Sequence, residues 1–386
     1  MNSARLLSTF LDLVRIDSLS RNEAAVAAYC RDAFEQAGCS VRIDETAAAT
    51  GSNTGNLIAV LPGRLPDELS ETENAVSLVS PSKLYFSAHM DTVGPGEGIE
   101  PHVSDGVIRS LGATILGGDD KVGIAAIIEL AHTLAEKGRP HAEIVVLLSV
   151  CEEISLLGAL AIDTSGFNEE PCFVLDGSGK PGTVVVASPF HYKFEATFTG
   201  KAAHAGIEPE KGISAIRIAA KAVLGMELGR IDQDTTANVG IIVGGNETNI
   251  IPDSCTITGE FRVMDESKVS AVQAQLASAM NNAAAEMGGE VAIEWVRQYP
   301  GFNVSEDDPL VLYILEQARL LGFEAKAVAS GGGSDANIYA NAGLKALVLG
   351  TGMTDVHGLN ESLAIQDLED LARLCIAMAY SYPASG

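Results

Sequence analysis

Positive charge is the scarcest ingredient of this 386-residue chain. Only 25 lysines and arginines stand against 51 aspartates and glutamates, for a formal net charge of −26. So acidic a surface repels phosphate backbones and anionic membranes, which argues against nucleic-acid and membrane partners and for small molecules or cations. Long apolar runs are also missing, and no segment approaches the roughly 20 residues of a membrane span. No secretory signal is expected in the N-terminal segment either. Arg5 suits an n-region, but Asp12, Arg15 and Asp17 interrupt the apolar stretch too early, and the segment reads as an amphipathic helix that starts the fold. No C-x-x-C pair occurs among Cys30, Cys39, Cys151, Cys172, Cys255 and Cys375. Most sit in apolar runs, as buried thiols in a reducing cytosol do. Cys151 has no cation near it in sequence to lower its pKa. The expectation is a cytoplasmic protein.

What is present is apolar enough to fold: 47% of the residues are hydrophobic. The length exceeds the roughly 250–300 residues that one core usually serves, so about two domains are expected. Residues 20–23 (Ser-Arg-Asn-Glu) have capping-box form ahead of a helix that ends at Gly38. Strands are expected at 41–44, 56–61, 83–88, 143–150, 173–175 and 346–349, with a helix at 121–138 and a hairpin around Asp105-Gly106. The 143–150 run is apolar without alternation, as a central parallel strand is. The acidic 62–82 stretch, with Pro62, Pro66 and Pro81, reads as a surface loop or hairpin extension. Strands alternating with helices indicate a mainly parallel α/β sheet. Residues 190–300 differ. Strands at 191–199, 238–243, 255–263 and 291–297 and helices at 211–229 and 266–287 give the order β-α-β-β-α-β, a ferredoxin-like split βαβ unit. The expected organisation is a discontinuous catalytic domain, 1–189 and 301–386, interrupted by a lid and dimerisation domain, 190–300.

The chemistry-bearing residues fall at strand ends. His89 and Asp91, Glu152 and Glu153, Asp176, and His357 each follow an expected strand, and Asp119 and Asp120 precede a helix. Open α/β sheets bind ligands along the carboxyl edge of their strands, so these groups converge on one cleft. Imidazole with carboxylate suits zinc, and also manganese or cobalt. Two divalent ions balance three ligand carboxylates and a bridging hydroxide, which a partly buried site requires. Adjacent Glu152 and Glu153 point to opposite sides of an extended segment, leaving one to bind metal and the other to face substrate as a base. Asp91 is placed to take the second N–H of a metal-bound His89.

The blocks at 87–92 (Ser-Ala-His-Met-Asp-Thr), 117–121 (Gly-Gly-Asp-Asp-Lys), 152–153, 174–177 (Val-Leu-Asp-Gly) and 356–358 (Val-His-Gly) occur in one order. Together they resemble the co-catalytic metallopeptidase family that includes peptidase T, carboxypeptidase G and aminoacylase, most closely its peptidase T-like branch. The resemblance implies that Asp119 bridges two metals, that His89 and Asp176 complete one site, and that Glu153 and His357 complete the other. It implies Glu152 as the base for the bridging water, Asp91 as the residue orienting His89, and a cis peptide at 119–120. An Asp at position 176 points to peptide substrates and an aminopeptidase.

In the lid, His204 matches a histidine that stabilises the oxyanion, often in a dimer partner's site. Asn249 and Arg262 match residues that hold the substrate carboxylate, and residues 331–335 (Gly-Gly-Gly-Ser-Asp) a glycine loop lining the pocket. The implied protein is a cytoplasmic di-zinc exopeptidase for short peptides, an aminopeptidase or tripeptidase, and a homodimer through its lid. Its mechanism is attack by a metal-bridging hydroxide with Glu152 as general base. An N-acyl-amino-acid amidohydrolase of the same fold is the alternative, and a non-catalytic metal-binding protein a remote third.

Overall fold

The computed structural model describes residues 1–64 and 83–382. The loop expected at 62–82 therefore lies almost wholly outside the described residues. The chain divides into two compact units. One comprises Met1–Val186, Val304–Ser330 and Ser334–Gly386, and the other Ala187–Asn303 with Gly331–Gly333.

The first unit is built on a mainly parallel sheet. Glu143–Ser149, Lys83–His89, Pro171–Gly177 and Lys345–Gly350 lie side by side in that order, all parallel. Antiparallel strands flank them, Leu57–Leu61 and then Ser40–Ile43 on one side and Thr183–Ser188 on the other. The unbroken apolar runs explain the placement: all but the first residue of Lys83–His89 and of Glu143–Ser149 are buried. Helix Gly118–Lys137 packs on this sheet and on helices Ser3–Val14 and Ile365–Ser381. Arg5 holds the first of these helices in place through Glu129, its Nε 2.6 Å from Oε2 of that buried carboxylate. The expected hairpin turns at Asp105 (φ 51°) and Gly106 (φ 74°), joining Glu100–Ser104 to Val107–Leu111.

The second unit is a five-stranded antiparallel sheet in the order Gly229–Asp232, Thr235–Gly244, Ser254–Val263, Phe190–Thr199, Glu290–Tyr299. Without the first, short strand this is the split βαβ order. Helices Ala215–Gly225 and Val269–Met287 cover it, and Phe194, Phe198, Phe261, Leu276 and Met280 fill its own core.

Three expectations change. The helix expected at 211–229 shortens to Ala215–Gly225, capped by Ser214, because Pro209–Lys211 forms a separate turn and the chain then enters the extra edge strand. The capping box at Ser20 does not form. Helix Ala24–Gln36 starts without a side-chain cap, and Ser20 and Glu23 bond to distant partners described below. Third, Cys151 is left-handed (φ 55°) and the residues after it turn, so Glu152 and Glu153 do not lie in an extended segment.

Because the two units have separate cores, Leu276→Ala is expected to cost about 2–5 kcal/mol. Denaturant unfolding should show the loss in the transition of the second unit, with that of the first unmoved.

Candidate active site

Parallel strands place their carboxyl ends along one edge, and the chemistry-bearing residues gather there. His89 ends its strand and is 2% exposed. Asp176 lies one residue from the end of Pro171–Gly177. Asp119 and Asp120 open helix Gly118–Lys137 and are joined by the expected cis peptide. His357 stands in the loop after Lys345–Gly350 at φ 64°.

Asp119 is the centre of the arrangement. Its Oδ1 lies 3.0 Å from His89 Nε2, and its Oδ2 lies 3.2 Å from His357 Nε2. His357 Nε2 also lies 2.9 Å from Glu153 Oε1. One carboxylate thus faces two imidazoles, and the second imidazole also faces a second carboxylate. Donor atoms of His89, Asp119 and Glu153 lie within 4.8 Å of one another, as do those of His89, Asp120 and Asp176. Asp120, to which no ligand role was expected, joins the second set. It also accepts from the His89 and Gly123 amides at 3.3 and 3.2 Å.

The carboxyl groups crowd one another. Burial, followed by the charge of Asp176, pushes Asp120 well above the usual carboxyl range. Burial and neighbouring acids do the same to Asp176 and Glu152. Asp119 is buried as well, but bonds from His357 and His89 outweigh burial and hold it low. Asp119 and Glu153 in turn raise His357 to about 10.

This donor set fits divalent cations. Two donors about 2.1 Å from one ion at angles of 90–110° stand about 3.0–3.4 Å apart, close to the spacings found here. Cations would also offset the crowded negative charge that the cluster otherwise relieves by holding protons.

A further set of residues fixes this cluster. Asp91 is fully buried, and its backbone carbonyl takes His89 Nδ1 at 2.9 Å, with Oδ1 farther at 3.5 Å. Its carboxylate is engaged elsewhere, accepting from Ser20 Oγ (2.7 Å), Glu152 N (2.9 Å) and Glu153 N (3.2 Å). Asp91 therefore reaches both the histidine and the glutamate pair. Glu361, 2% exposed, accepts from the amides of Leu116, Gly117 and Asp119 at 2.8, 2.9 and 3.1 Å. No sequence pattern marked Glu361, because its partners lie more than 240 positions away.

In the second unit, His204 and Asn249 are neighbours. His204 bridges Ile250, and the Ala205 amide donates to Asn249 O at 2.9 Å. Both side chains are exposed, and Gly206 N donates to His204 Nδ1 at 3.1 Å. Arg262 stands apart from them. Asn249 precedes Ser254–Val263, whereas Arg262 lies near that strand's far end, roughly 25–30 Å away at the rise of an extended chain. The Arg262 fork is held by Gly331 O (3.0 Å) and by Glu260 (3.3 Å), which His191 also contacts at 2.8 Å.

Known proteins match both units. A model described as Peptidase dimerisation domain matches residues 191–288, and one described as Peptidase family M28 matches residues 72–179. The crystal structure of aminopeptidase PepT from Bacillus cereus is 40% identical with a TM-score of 0.88, covering 98% of each chain. That of a tripeptidase from Staphylococcus aureus is 35% identical with a TM-score of 0.90, again over 98% of each. Protein YqjE of Bacillus subtilis is 40% identical over 98% of both chains. Fold and site thus define a peptide-bond hydrolase that carries a dimerisation domain. The chain belongs to the M20 peptidase family, in its peptidase T-like branch.

Two outcomes are expected. Divalent-metal binding at pH 6 should release protons, because ions displace them from the crowded carboxyls; calorimetric heats should then vary with the buffer's ionisation enthalpy, and buffer-independent heats would contradict this. Glu361→Ala should weaken metal binding about 10–100-fold, measured by competition with a chelator, since it frees the Asp119 loop.

Proposed function

We propose that the protein is a di-metal exopeptidase acting on short peptides, an aminopeptidase of tripeptidase type. The observation that carries this reading is Asp119, whose two oxygens face His89 and His357 separately, with the buried Glu152 within reach of the charges of His89 and Asp176. In this reading Asp119 serves two ions, His89 and Asp176 hold one, and Glu153 and His357 hold the other. Zinc suits the donors, with manganese or cobalt as substitutes. When bound, the ions polarise the scissile carbonyl and make water nucleophilic at neutral pH.

The chain's own residues do the rest. Glu152 takes a proton from the attacking water and passes it to the leaving amine. Burial favours its protonated form, which suits a group that must give the proton back. His204 donates to the oxyanion that develops on the substrate carbonyl. Arg262 grips a substrate carboxylate through its planar fork, and Asn249 assists.

The spacing of these residues supports a homodimer. His204 and Asn249 lie at one end of the five-stranded sheet and Arg262 at the other, too far apart for one copy to offer both to one short peptide. Two copies related by a twofold axis supply them from different chains. The strand Thr235–Gly244 offers a surface for this. Only its start is paired by Gly229–Asp232, and Ile241, Ile242 and Val243 are more than half exposed. The six described cysteines are free and buried, which suits a cytoplasmic setting. Among the described residues no helix is long and apolar enough to cross a membrane.

Glu152→Gln should retain metal but lower kcat by about 10²–10⁴-fold on tripeptides. Release of N-terminal residues from tripeptides, with N-acyl amino acids left intact, is the expected panel result; the reverse preference would favour a deacylase. Mixing His204→Ala with Arg262→Ala subunits should restore activity lost in each alone. Half of the dimers are then mixed and half of their sites intact, so recovery is about a quarter of the unmodified rate.

A further inference from the structure

Glu23 is fully buried and belongs to none of the metal groups. Its Oε1 accepts from the Arg21 amide (2.9 Å), the Cys151 amide (3.0 Å) and the Cys151 thiol (3.3 Å), and its Oε2 takes the Ser52 hydroxyl. The Cys151 contact spans 128 positions of sequence and lands directly before Glu152.

The contact is one of a series. Four consecutive amides, Val150 to Glu153, each donate to a side chain. Val150 N donates to Asn56 Oδ1 at 3.0 Å, Cys151 N to Glu23, and Glu152 N and Glu153 N to Asp91. Strand pairing ends at Ser149, so no ladder satisfies these groups. Within the series Cys151 sits at φ 55°, a left-handed conformation that residues with a Cβ avoid unless something holds them there. Ser20, three residues before Glu23, donates to the Asp91 carboxylate at 2.7 Å. One short segment therefore holds the turn twice, through Glu23 directly and through Ser20 and Asp91.

We propose that Glu23 is a positioning residue for Glu152, setting the direction of that carboxylate by holding the left-handed turn at Cys151. Glu23 touches neither substrate nor metal; it acts through the main chain. The inference rests on Glu152 being the base. Without Glu23 the Cys151 amide loses its acceptor and the turn relaxes at Cys151, on the near side of Glu152, while Asp91 still holds the Glu152 and Glu153 amides. Metal binding then survives and the base is displaced. A misplacement of about 1 Å can cost about 10²-fold in rate.

The test compares Glu23→Ala, Glu23→Asp, Glu23→Gln and Glu152→Gln as purified, metal-loaded protein. Glu23→Ala should lower kcat about 10–100-fold with KM changed less than about 3-fold and bound metal unchanged. Glu23→Asp, which cannot reach Ser52 and Cys151 together, should fall in the same direction and serves if the alanine variant does not fold. Glu23→Gln keeps an acceptor for Cys151 N and presents an amide to Ser52, so its kcat should stay within about 3-fold. Amide exchange at 150–153 should quicken in the alanine variant and not in the glutamine one. The proposal is overturned if kcat is unchanged in both the alanine and aspartate variants, if the glutamine variant is as impaired as they are, or if lost rate tracks lost metal. Full turnover by Glu152→Gln would instead overturn the base assignment, whereas an impaired Glu152→Gln beside normal Glu23 variants defeats this inference alone.

Discussion

Asp119 offers one carboxylate oxygen to His89 at 3.0 Å and the other to His357 at 3.2 Å, and most of the catalytic unit is arranged so that it can. Parallel strands bring His89 and Asp176 to one edge. Glu361 gathers the amides of the loop that carries Asp119. Asp91 and Glu23 hold the turn that presents Glu152 and Glu153. Around this carboxylate stand Asp120, Glu152 and Asp176, all pushed toward their protonated forms by burial. Such a cluster is costly without cations, and its donor set fits them.

Much of this was legible in the residues themselves. The apolar runs ending in His89 and Glu152 identified central strands, because a strand buried on both faces cannot alternate. The acids and imidazoles at those ends identified the edge at which the candidate groups gather. The split βαβ order of the second unit followed from alternating strands, with only the short Gly229–Asp232 strand missed. What escaped was governed by partners distant in sequence. Ser20 and Glu23 have the pattern of a helix cap, yet a buried carboxylate needs several donors, and Arg21, Ser52 and Cys151 supply them. Glu361 escaped for the same reason. The Glu152–Glu153 pair was expected in an extended segment, but left-handed Cys151 turns the chain, a conformation no propensity announces.

The second unit shows how geometry constrains function where side-chain chemistry alone does not. His204, Asn249 and Arg262 are each suited to a peptide substrate, but a ten-residue strand separates them. That strand is paired on both sides, by Thr235–Gly244 and Phe190–Thr199, which holds it extended. Arg262, moreover, is bonded to Glu260 and Gly331 O, which fixes the direction of its fork. The proposed twofold assembly would resolve the separation without changing either end, and the partly unpaired, apolar edge at Ile241–Val243 would give it a place to form.

The central claim is that a single shared carboxylate organises a two-ion site. Its most direct test is the number of divalent ions bound per chain, measured by elemental analysis after equilibrium dialysis, for the unmodified protein and for Asp119→Ala. The account predicts two ions per chain in the former and loss of tight binding of both in the latter. One ion in the unmodified protein, or an Asp119→Ala variant that still binds both tightly, would contradict it.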